Sequence, residues 1–202
     1  MFSSSAGRNP RALPVVVALH ARGSDVGGAI ERARGLFGDD PAILAPQAAR
    51  PCNPFQSNLQ LADGYSGFSW YLGDDPSRPE AASFGDALAQ LDVLLRRLRR
   101  PLVLCGEGQG AVLALTLGAI APAGVVGVHA PGDAFPLLDG WQLPVEALAD
   151  IEFLVDTGLS PASRIILEER GARLTILDTP PTLSLRHWLQ LRAATSRSAR
   201  RD

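Results

Sequence analysis

The chain has 202 residues, 46% hydrophobic and 20% charged, with a formal net charge of −2. That length and balance fit one soluble domain with a full core, 1–202, with flexible ends at 1–12 and 197–202. Lysine is absent and the arginines are scattered, which excludes the basic stripe of a nucleic-acid-binding protein. Two cysteines, Cys52 and Cys105, are too few for a disulfide framework and point to a reducing, cytoplasmic compartment. Residues Met1 to Arg11 are polar and Ser-rich, unlike a signal peptide, and no apolar run is long enough to span a membrane.

Apolar runs alternate with helical patterns, the signature of a parallel α/β sheet. Pro14 to His20 is rich in β-branched residues and reads as a buried strand. Val26 to Phe37 reads as a helix and Ala42 to Ala45 as a short strand. Residues 46–80 mix Pro, Gly, Asn and Ser with aromatics; a loop that long in a compact domain is usually functional. Ser83, with Asp86 three residues on, is expected to cap the next helix. Its apolar face is Phe84, Leu88, Leu91, Leu95 and Leu98, and Pro101 ends it. Strands are further expected at Leu102 to Cys105, Gly124 to His129, Ile151 to Val155 and Leu174 to Leu177. Ser160-Pro161 opens a helix that closes at Gly171, and a final helix runs from Leu183 to Ala194.

Between the strand at Leu102 and a helix carrying Val112, Leu113, Leu115 and Leu117 stands Gly106-Glu107-Gly108-Gln109-Gly110. Strand, Gly-rich turn and helix are the setting of a G-x-S-x-G nucleophile elbow. Here the central residue is Gly108, which has no hydroxyl.

This elbow, the earlier run Leu19-His20-Ala21-Arg22-Gly23-Ser24-Asp25, and Trp70-Tyr71 between them resemble the carboxylesterase/phospholipase/acyl-protein-thioesterase branch of the α/β-hydrolase superfamily. Members carry L-H-G-x-G-x-D after an early strand and G-F-S-Q-G at the elbow. The resemblance covers about Leu13 to Leu177. It implies a compact α/β-hydrolase fold of about six largely parallel strands with helices on both faces. It further implies an oxyanion hole from the backbone N–H groups of Arg22 and Gln109, and a pocket lined by Tyr65, Ser66, Ser69, Trp70 and Tyr71. His20 would hold the oxyanion loop rather than react. A homodimer is compatible with the family.

The catalytic groups do not carry over. Serine is replaced by Gly108. The stretch matching the family's acidic motif offers only Asp156, and Asp178 to Leu183, where the family has its histidine, contains none; His187 falls inside the last helix. Losing serine or histidine from a triad costs on the order of a millionfold in turnover, and losing both costs little more. Ordinary serine-hydrolase turnover is therefore not expected.

Three functions follow. The first is a pocket that binds an acyl, ester or aromatic small molecule without turnover. The second is a lyase, cyclase or isomerase in which Glu107 or His129 moves a proton beside the oxyanion hole. The third is a weak carboxylesterase with a relocated nucleophile at Ser24, Ser66 or Ser69. Against the second, Glu107 can instead pair with a nearby arginine, and a strand-end histidine such as His129 can be structural. Cys105 is expected to pack in the core. No metal-ligand spacing and no cofactor motif are evident.

Overall fold

The computed structural model describes residues 13–52, 67–120, 124–131, 135–136, 148, 151–155, 158–176 and 185–190. In chain order its elements are β1 (Val15–Leu19), α1 (Val26–Phe37), β2 (Ile43–Leu44), β3 (Arg50–Pro51), β4 (Phe68–Ser69) and α2 (Ala81–Arg97). There follow β5 (Leu102–Gly106), α3 (Gln109–Ala119), β6 (Val125–His129), β7 (Glu152–Val155), α4 (Pro161–Glu169) and β8 (Arg173–Ile176). Residues 185–190 are also helical. The expected ends of the chain and parts of the last helix lie outside the described residues.

Six strands form one sheet in the order β2-β1-β5-β6-β7-β8, with every neighbouring pair parallel. A parallel sheet is covered on both faces, so its central strands carry continuous apolar runs rather than an alternation. Both β1 and β5 are buried at every residue. Successive side chains of β1 enter opposite cores. Val15, Val17 and Leu19 pack with α2, α3 and α4, whereas Val16 and Ala18 pack with α1 and residues 185–190.

Between the two layers of helices, α3 is the most enclosed: all 11 of its residues are buried. It holds the elbow against the centre of the sheet. On the opposite face Trp188 lies across Gly127 of β6 so closely that a methyl there would run into the indole ring.

Two sequence expectations change in detail. The long segment before α2 contains a small antiparallel ribbon, in which Arg50 lies opposite Ser69 and Pro51 opposite Phe68. Strands of two residues give no periodicity to read. The cap of α2 is Glu80, not Ser83. The Glu80 carboxylate accepts from the N–H groups of Ala82 and Ser83. Ser83 sits one turn inside, where its hydroxyl donates to Glu80 O and accepts from Leu72 N–H. The acidic cap satisfies the same orphan donors that a serine would.

Candidate functional site

The turn from β5 to α3 is shaped by its outer glycines. A Cβ on Gly106 would come within 2.7 Å of Ala111 N, and one on Gly110 within 2.8 Å of His20 O and closer still to the Leu19 carbonyl. Both positions therefore exclude any side chain, because the obstacles are main-chain atoms. Gly108, at the apex, is different. Its backbone has φ 49° and ψ −121°, a conformation that L side chains rarely adopt. Yet among the described residues a Cβ there would meet only the Ala21 methyl, at an ordinary 3.7 Å. Glycine holds this apex without steric strain, and the described residues leave room there for a Cβ.

Beside the elbow lies the segment that follows β1. Gln109 opens α3, so its N–H precedes the helix's own hydrogen-bond ladder. Its side chain, 1% exposed, accepts from Trp70 N–H at 2.9 Å and donates to Tyr71 O at 2.9 Å. Trp70 then donates its indole N–H to His20 O at 2.9 Å and stacks on the His20 ring at 5.0 Å. The His20 ring, also buried, joins Ala21 O through Nδ1 at 2.8 Å and the Ala48 N–H and Gln47 amide through Nε2, each at 3.2 Å. Ala21 O can only accept and Ala48 N–H can only donate, so the imidazole is the neutral Nδ1–H tautomer. Burial holds its pKa below the ordinary value, against the smaller opposing effects of the Ala21 hydrogen bond and the Asp25 charge.

Arg22 extends this fastening. Its guanidinium donates to Gly73 O at 2.8 Å and reaches the Asp74 carboxylate at 3.4 Å, strapping the post-β1 loop to the segment after Tyr71. Asp25 ends the loop as the N-cap of α1, accepting from Gly28 N–H at 2.9 Å. Trp70 and Tyr71 are 4% and 0% exposed, so they back the loop rather than present open faces. Tyr71 OH donates to Pro76 O at 2.7 Å.

The remaining candidates are dispersed. Glu107 forms an ion pair with Arg32 of α1, both side chains partly exposed. His129 ends β6, in register with Cys105 and Leu154, which belong to the core beneath α1. Its buried ring meets Phe37 edge-on, on the face of the sheet opposite α3. Ser69 is buried and donates its hydroxyl to Tyr71 O at 2.7 Å. Ser24 forms a bridge with Phe68 and stands partly buried. His187 is exposed. Tyr65, Ser66 and Asp156 lie outside the described residues. The Cys105 thiol is buried and its pKa is pushed up to about 12, mainly by desolvation, with the Glu107 charge adding. Among the described residues, no group of three or more His, Cys, Asp or Glu could hold a metal ion.

Sequence reasoning missed the Gln109 side chain, having used only its backbone. The signal was present: it is the one amide in a helix otherwise made of Gly, Ala, Val, Leu and Thr. A buried polar group in such a helix needs partners.

No family model and no curated protein matches the chain. Solved structures do. A carboxylesterase from Mesorhizobium loti aligns with a TM-score of 0.67 at 21% identity, covering 91% of this chain and 90% of that one. A phospholipase/carboxylesterase from Dyadobacter fermentans gives 0.62 at 16%, covering 89% and 90%. YahD, solved with malic acid, gives 0.64 at 17%, covering 92% and 96%. The six-stranded parallel sheet with helices on both faces is thus an α/β-hydrolase fold.

Proposed function

We propose that this protein binds a small acyl, ester or aromatic ligand in a hydrolase-type hollow and does not hydrolyse it through a serine. Gly108 stands in the nucleophile's place, and the N–H groups of Arg22 and Gln109 form the oxyanion hole. The observation that carries the reading is the elbow: its apex, Gly108, has φ 49° and ψ −121°, and among the described residues a Cβ built there meets the Ala21 methyl at an ordinary 3.7 Å. Backbone donors outlast side-chain substitution, so a carbonyl or carboxylate oxygen can still be held where no acyl intermediate can form.

The alternatives draw less support. Glu107 is engaged by Arg32, and His129 is buried on the sheet face away from α3. Both would have to leave these partners to move a substrate proton. Ser69, as a relocated nucleophile, has its hydroxyl committed to a main-chain carbonyl.

The test is thermal unfolding with short-chain esters, aromatic acids and, because YahD was solved with it, malic acid. A ligand at a hundred times its Kd stabilises the fold by about 2.7 kcal/mol. The expected result is a raised Tm with the compound recovered intact by chromatography. Release of alcohol and acid at ordinary serine-hydrolase rates would refute the proposal.

A further inference from the structure

We propose that His20 is an acid-released latch: protonation of its Nε2 detaches the loop carrying Ala21 and Arg22 from residues 45–48, and so dismantles the hollow beside Gly108. The inference stands on the hydrogen-bond geometry and does not depend on what the hollow binds.

Three segments meet at this one ring. Nδ1–H ties His20 to Ala21 O, Nε2 receives the Ala48 N–H and the Gln47 amide, and the ring face carries Trp70. Trp70 in turn reaches the elbow through Gln109. A proton added at Nε2 changes the ring from acceptor to donor. The Gln47 amide can rotate to present its oxygen, but the Ala48 N–H cannot, so two donors then face each other in a buried site.

The surroundings do little to offset this. Gln47 and Ala48 from the segment after β2, Trp70 from the segment after β4, and Gln109 from α3 are all uncharged. Among the described residues the charge felt by the ring is that of Asp25, whose carboxylate also caps α1. Burial outweighs it, and the folded-state pKa is lowered from 6.5. The closed loop therefore binds fewer protons than the open one. Its stability is complete above pH 6.5 and declines as pH falls from there toward the lowered value. Opening becomes more frequent by up to about tenfold per pH unit across that window.

Hydrogen exchange of the full chain, corrected for intrinsic rates, tests this. Protection of the Ala48 amide and the Trp70 indole N–H should fall between pH 7.5 and 5.5, by at most about tenfold. In His20→Gln, which keeps an uncharged acceptor, it should stay flat. Unchanged protection in the wild type, or an equal fall in the variant, overturns the latch. If the variant does not fold, NMR titration of the wild-type His20 ring decides. A midpoint below 6.5 with the Ala48 and Trp70 signals moving in step supports the proposal. A midpoint at or above 6.5, or a titration that leaves those signals unmoved, overturns it.

Discussion

The elbow makes a graded prediction for its three glycines. Replacing Gly108 by serine places a Cβ 3.7 Å from the Ala21 methyl, so packing against the described residues raises no objection. The backbone does: a side chain at φ 49° costs about 1–3 kcal/mol relative to glycine. In a domain of this size that lowers Tm by roughly 2–12 °C. Gly110→Ala must instead push a methyl into the Leu19 and His20 carbonyls, and Gly106→Ala into the backbone of Gly110 and Ala111. Main-chain atoms cannot rotate away, so each should cost more than about 3 kcal/mol and yield little folded protein. Urea unfolding of the three variants measures the order. The same Gly108→Ser protein should give no p-nitrophenyl ester turnover above the wild type, because no histidine lies at 178–183 to activate the new hydroxyl. Robust ester cleavage would refute the account of the last loop. A Gly110→Ala protein as stable as Gly108→Ser would refute the account of the elbow.

Other variants probe the fastening around it. Gln109→Ala strands a buried N–H and a buried C=O of the Trp70–Tyr71 segment and should cost about 2–4 kcal/mol by urea unfolding. Asp25→Ala removes the α1 cap and should cost about 1 kcal/mol in the same assay. Arg32→Ala breaks a partly exposed ion pair, so its effect should stay below about 1 kcal/mol. With Cys105 buried and its thiol pKa pushed up to about 12, iodoacetamide at pH 8 should label the partly exposed Cys52 first in the native protein. Peptide mass spectrometry reads this, and rapid modification of Cys105 would contradict its enclosure.

Much of this architecture is legible from residue order because each signal has a local cause. The buried runs at Val15 to Leu19 and Leu102 to Cys105 specify strands covered on both faces, and the α1 boundaries follow from a clean apolar face ending at Phe37. The ribbon of β3 and β4 is too short for any period, and the Glu80 cap hides because Ser83-x-x-Asp86 imitates one. The site divides the same way. Its turn can be read from the spacing of three glycines, whereas the His20–Trp70–Gln109 linkage is built of single contacts between residues as far as 50 apart in sequence. No local pattern encodes such a contact. The position of His129 illustrates the limit: the strand end is evident in sequence, but which face its ring takes depends on register with Cys105 and Leu154.

The most direct measurement is intact-mass spectrometry of the wild-type protein after exposure to a fluorophosphonate probe, with an active serine carboxylesterase treated alongside. The account predicts an unmodified mass for this chain while the control is fully labelled. A stoichiometric phosphonyl adduct on any serine would contradict it.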